Sequence, residues 1–98
     1  MATVYYLRGA LADLDRLTAF LVESDPAAAK HRAALIRKAV SALEGSPLIG
    51  RPTATGLRDL VISRGKTGYV ALYRYDAEEE RVLIAAIRHQ REAGFSDG

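Results

Sequence analysis

Apolar residues recur along this chain in two rhythms, and the change from one to the other divides it into a helical part and a stranded part. From Ala10 the apolar positions fall at Ala10, Leu14, Leu17 and Leu21, while Asp13, Asp15, Arg16 and Glu23 take the other face. That spacing predicts an amphipathic helix of about three turns. Ser24-Asp25-Pro26 interrupts it. The Asp25 carboxylate can accept from the free N–H groups of a new helix, and Pro26 suits a first helical position where no donor is needed. The second helix is predicted to bury Ala29, Ala33, Ile36, Val40 and Leu43, to keep Lys30, Arg32, Arg37 and Lys38 wet, and to stop at Gly45. So short a turn makes the two helices antiparallel.

On either side of this pair the rhythm is that of strands. Thr3 to Leu7 is β-branched and aromatic and ends near Arg8, ahead of Gly9. Leu57 to Ser63, Tyr69 to Tyr75 and Val82 to Ile87 form a meander whose turns are Arg64-Gly65-Lys66-Thr67-Gly68 and Asp76-Ala77-Glu78-Glu79-Glu80. Ser46 to Gly56, with two prolines and two glycines and no period, is predicted to be a crossover loop without an element of its own. Tyr69, Ala71, Tyr73 and Tyr75 alternate with Val70, Leu72 and Arg74, so one face of the sheet meets the helices and the other stays partly open. The fold class is α+β in the order βααβββ: an antiparallel helical hairpin on one face of a small, mainly antiparallel twisted sheet. Residues 1–98 are expected to form a single domain, because a chain of this length builds one core.

Charge changes the picture through its distribution. Fourteen Lys and Arg against twelve Asp and Glu leave a formal net charge of +2, too little to predict nucleic-acid binding from the total. Within residues 51–75, however, Arg51, Arg58, Arg64, Lys66 and Arg74 oppose only Asp59, whereas residues 76–80 gather four acids in one turn. The absence of cysteine excludes disulfides, thiolate metal sites and a cysteine nucleophile, and suits a reducing compartment. The first residues lack the pattern of a secretion signal and no apolar run is long enough to span a bilayer, so a cytoplasmic protein with no membrane partner is expected.

Several residues are candidates for chemistry. Lys66 lies in a turn between two strands, and the last strand ends in Arg88, His89 and Arg91, so a phosphate can meet several cations if these segments converge. A histidine is the side chain best suited to carrying a proton, and His89 is the candidate. Arg58, beside Asp59, is either an ion-paired edge residue or a contact to a partner, and Arg74 among the tyrosines is expected on the open face. His31 has no histidine or cysteine at ligand spacing, and neither has His89, so no metal is expected. Gly65 and Gly68 flank Lys66-Thr67 without the spacing of a phosphate loop, and no serine stands in a nucleophile elbow. No cofactor is expected.

The order of elements and the residues around them resemble the ParE/RelE superfamily of bacterial toxins. The resemblance rests on Ala12-Asp13-Leu14 in the first helix, Ile49-Gly50-Arg51-Pro52 before the sheet, Gly56-Leu57-Arg58-Asp59-Leu60, Gly68-Tyr69-Val70-Ala71-Leu72-Tyr73, and Ile84-Ala85-Ala86-Ile87-Arg88-His89-Gln90-Arg91 at the close. It implies a toxin of a type II toxin–antitoxin module, concerned with plasmid stabilisation and growth arrest, neutralised by a ParD-like or other DNA-binding antitoxin. The ParE-like branch is taken to inhibit DNA gyrase. The RelE-like branch cleaves mRNA on the ribosome without metal, which here would use Lys66, Arg88, His89 and Arg91. RelE-like members often end in a tyrosine, where this chain has Phe95, a ring with no hydroxyl for acid–base work. That departure favours the ParE-like branch, which is not an enzyme. A ribosome-dependent endoribonuclease is the alternative, and an inactive member serving only as an interaction module is the third. Residues expected to contact target or antitoxin are Leu14, Leu17, Leu21, Arg58, Arg74, Tyr73 and Phe95, with the groove between the helices as the antitoxin's landing site.

Overall fold

The computed structural model describes residues 1–63 and 68–89. Strand β1 (Thr3–Tyr6) leads into helix α1 (Arg8–Ser24) and helix α2 (Pro26–Ser41), which ends in one 3-10 turn (Ala42–Glu44). Strands β2 (Arg51–Pro52), β3 (Arg58–Val61), β4 (Tyr69–Asp76) and β5 (Arg81–His89) follow. They make one five-stranded sheet in the order β1-β5-β4-β3-β2, antiparallel at every step except β1 against β5, which is parallel. The α+β class and the helical hairpin on a mainly antiparallel sheet are as the residues predict. No helix among the described residues is long and apolar enough to cross a membrane.

Apolar side chains on the facing surfaces explain the layering. Leu17, Ile36, Val40 and Leu43 pack on Tyr69, Ala71, Tyr73, Val82, Ile84 and Ile87, and the last four of these sheet residues are fully buried with Ala71. Asp25 joins the helices as expected: its carboxylate accepts from the Ala28 N–H at 3.2 Å, with Pro26 as the first residue of α2.

The sequence reading and the structure differ in four places. Helix α1 runs for 17 residues, not about three turns, and it starts at Arg8, leaving β1 only four residues long. The Leu7 N–H makes the last ladder bond to the Ile84 carbonyl, and the Leu7 carbonyl already accepts from Leu11, so strand passes into helix with no loop between them. Gly9 permits this close crossing, because a Cβ there would stand 3.3 Å from the Ala85 carbonyl oxygen. The second difference is β2, a two-residue strand inside the segment read as a loop. Arg51 pairs with Asp59 and Pro52 with Arg58, and an edge position tolerates a proline that has no N–H to donate. Third, the end of α2 tightens into the 3-10 turn before Gly45, which keeps Leu43 buried.

The fourth difference is a bulge in β5. Leu72 faces Ala86 while Tyr73 faces Ile84, so Ala85 is an extra residue with no partner on β4. The alternation therefore changes phase at Ala85. Val82 and Ile84 before the bulge and Ile87 and His89 after it all lie on the helix side, opposite Tyr75, Tyr73, Ala71 and Tyr69.

Candidate functional site

Two structural devices position the parts of the surface that carry the candidate residues. The first fixes the loop ahead of the sheet. Tyr73 is wholly buried, and its hydroxyl donates to the Pro47 carbonyl at 2.8 Å while accepting from the Gly50 N–H at 2.8 Å. Burial pushes its pKa up, and the opposing pulls from the Gly50 N–H and the Arg58 guanidinium are smaller, so the phenol keeps the proton it donates. Arg58 reinforces the same loop by donating from Nη1 to the carbonyls of Leu48 (3.2 Å) and Gly50 (2.8 Å). Held this way, Leu48 and Ile49 remain exposed at the loop's tip.

The second device fixes the exit of β5. Strand β1 pairs with β5 only as far as Ile84, which leaves the N–H groups on that edge of β5 beyond it without a strand to meet. Asp13 of α1 takes over: its Oδ2 accepts from the Ile87 N–H at 2.9 Å, and its Oδ1 lies 3.6 Å from Arg16. The spacing of α1 had assigned Asp13 to the wet face. It stands three residues after Ala10 and four before Leu17, both buried, so its side chain borders the core stripe, and that spacing was the available signal.

Beyond the bulge, Arg88 and His89 lie on opposite faces of the sheet. Arg88 lies opposite Val70, on the face away from the helices. His89 lies opposite Tyr69 on the helix side, the two rings meeting edge to face with centroids 5.3 Å apart. Lys66, Arg91 and Phe95 lie outside the described residues.

The face away from the helices presents Thr3, Tyr5, Val61, Arg51 and Arg74 to solvent, whereas Val70 and Ala86 on it are buried. Arg74 sits there as expected, opposite Leu83. Two ion pairs frame this face, Arg51 with Asp59 at 3.3 Å and Arg81 with Asp76 at 3.0 Å. Among the described residues, Asp59 Oδ1 and Arg81 Nε are buried polar atoms without a partner.

The Arg81 guanidinium, hydrogen-bonded to Asp76, holds that carboxyl below the usual carboxylate range, assisted by the Glu79 N–H. A pKa lower in the folded chain than in the unfolded one gives a contribution present above the unfolded value and lost as pH falls through the folded value. Acid unfolding of Asp76→Asn is therefore expected to be less steep below about pH 4 than that of the parent, while stability at neutral pH falls slightly. Denaturant midpoints measured between pH 2 and pH 7 check this, and identical slopes for the two proteins would contradict it.

On the helices, Leu17 and Leu21 are buried and Leu14 is half-buried against the core. The apolar side chains that α1 and the residue capping it offer to solvent are others: Leu7, Leu11 and Val22, which continue one flank through Leu14, and Phe20 elsewhere on the helix. Amphipathic spacing missed them because it names the stripe nearest the sheet and is silent about apolar residues beside it.

A βααββββ chain with this helical hairpin and a basic, exposed sheet face has the architecture of a small bacterial toxin, and comparison with known proteins agrees. Residues 4–94 match the family described as the ParE toxin of type II toxin–antitoxin systems. Two toxins of Caulobacter vibrioides are similar in sequence. RelE3 is 35% identical over 80 residues, covering 82% of this chain and 85% of that protein, and RelE1 is 37% identical over 62 residues, covering 63% and 67%. Among solved structures, the chromosomal ParDE system of P. aeruginosa superposes with a TM-score of 0.76 at 26% identity, covering 91% of this chain and 96% of that one. The toxin–antitoxin complex RelBE2 of Mycobacterium tuberculosis gives 0.67 at 27% identity, covering 90% and 96%. The chain belongs to the ParE toxin family, within the ParE/RelE group of type II toxin–antitoxin toxins.

Proposed function

We propose that this toxin acts in the cytoplasm by binding and inhibiting DNA gyrase, and that a cognate ParD-like antitoxin holds it inactive. The observation that carries the choice of target is the division at the end of β5. Arg88 and His89 leave the strand on opposite faces, so the cation and the proton carrier do not face one phosphate, as cleavage of an RNA strand requires. Phe95, which has no hydroxyl, is a second support.

The antitoxin is assigned to the helical hairpin, where Leu7, Leu11 and Val22, with the half-buried Leu14 between them, form an exposed apolar flank beside the buried Leu17 and Leu21. A partner arm that is disordered alone can fold along such a flank. Arg74 and Phe95 are assigned to the target, while Arg58 and Tyr73 act from beneath by fixing the loop that carries Leu48 and Ile49.

Purified toxin is expected to inhibit supercoiling by gyrase and to leave mRNA intact on translating ribosomes. Unaffected supercoiling together with mRNA cleavage would overturn the reading. The similarity to toxins named RelE keeps a second reading in view, a metal-independent ribonuclease using Lys66, Arg88, His89 and Arg91. Cleavage that is abolished by Lys66→Ala and by Arg91→Ala, with antitoxin binding retained, would establish that reading.

A further inference from the structure

The outward face of α2 carries charge of one sign only. Its exposed positions after Pro26 are Ala27, Lys30, His31, Ala34, Arg37, Lys38 and Ser41, which carry three permanent cations and one imidazole and no carboxylate. None of the three cations has a carboxylate within ion-pair distance among the described residues. The acids nearest in sequence are Asp25, which caps the helix through the Ala28 N–H, and Glu44 in the turn that follows it. Ile36 and Val40 face the core, so the charged side is turned away from the sheet.

The charges form two rows. Lys30 and Arg37 lie on one side of the face and His31 and Lys38 on the other, and each pair is seven residues, or about 10 Å, apart along the axis. Ala27, Ala34 and Ser41 run between the rows and keep the centre low. From this geometry we infer that α2 binds B-form DNA in the major groove, with its two cationic rows on the two phosphate backbones.

The dimensions agree. A helix with its side chains is about 10–12 Å across and the major groove about 12 Å wide, so cations on both sides reach phosphates on both strands. Double-helical RNA does not fit, because its major groove is deep and narrow. A protein partner is also disfavoured, since two alanines and a serine provide little apolar surface for a packed interface. At the centre of the face the two alanines have no polar group and the Ser41 hydroxyl donates to the Lys38 carbonyl at 2.8 Å, so binding is independent of sequence. This inference does not rest on the identity of the toxin's target.

The experiment follows the fluorescence anisotropy of a labelled mixed-sequence DNA duplex of about 20 base pairs as purified toxin is added at a series of salt concentrations. Three phosphate-neutralising cations predict a slope of log Kobs against log salt near −3, at about −0.9 per contact. Lys30→Gln, Arg37→Gln and Lys38→Gln combined are expected to bring the slope near zero. An equal charge change at Arg8, Arg16 and Arg51 is expected to leave it in place. Glutamine suits an exposed helix, and Lys38→Gln alone, expected to reduce the slope by about one, gives a test that does not depend on the triple variant folding. The inference is overturned if the two triple variants weaken binding equally, if an RNA duplex or polyglutamate binds as tightly as DNA, or if the parent shows no salt-dependent binding.

Discussion

Replacing Gly50 with alanine is expected to destabilise the fold by about 3 kcal/mol, read as a lower midpoint in urea with an unchanged slope. A Cβ at that position would stand 2.6 Å from both Cε1 and the hydroxyl oxygen of Tyr73, and 2.9 Å from Cζ. The end of a tyrosine ring can often move aside. Here it cannot do so cheaply, because the ring is fully buried and its hydroxyl is bonded at once to the Pro47 carbonyl and the Gly50 N–H. Moving the ring breaks both bonds and opens the core beneath them.

The companion change Tyr73→Phe removes the hydroxyl and strands a buried N–H, for an expected loss of about 1–2 kcal/mol. In the double variant the ring has no hydroxyl to collide with, so the two losses should sum to more than the loss measured for both together. Strict additivity would show that the loop is not held by this contact.

The second large effect is expected at Asp13. Asp13→Ala deletes the acceptor of the Ile87 N–H, a charge-assisted bond in a partly buried setting, and should cost about 2 kcal/mol. Hydrogen exchange of the Ile87 amide should quicken by about tenfold or more, and Asp13→Asn, which keeps an acceptor oxygen, should lose less than half as much stability. The effect should concentrate at the end of β5. There the ladder to β1 has already stopped, and the carboxylate holds the edge of the strand that β4 does not pair. An exchange rate unchanged in Asp13→Ala would show that some other group holds the strand.

These two sites also mark the limit of what the residues reveal unaided. The order of helices and strands, the Asp25-Pro26 junction and the face that meets the helices are all legible, because each rests on local chemistry: spacing, capping, and the rigid ring of proline. The two-residue strand β2 is not legible. Arg51-Pro52 has no strand character of its own and pairs only because the turn at Thr53–Leu57, with Gly56 at a φ of +88°, folds it back on β3. Nor does the bulge announce itself, since Ala85 is an ordinary strand residue whose lack of a partner depends on how β4 and α1 press on β5 from two sides. The divergence of Arg88 and His89 was implicit in strand alternation, yet which of them would face the helices depended on that bulge. Tyr73 could be named as a tyrosine of the sheet, but its two bonds to the loop span 26 and 23 positions and have no local sign.

The parallel pairing of β1 with β5 has a consequence for how the toxin comes into being. The first strand made finds its neighbour only after residues 81–84 have been translated, later than both helices and the other strands. Contacts so far apart along the chain close slowly. The seam between β1 and β5 is thus the last join of the sheet that synthesis makes possible, and both helices exist before the layer they cover is complete.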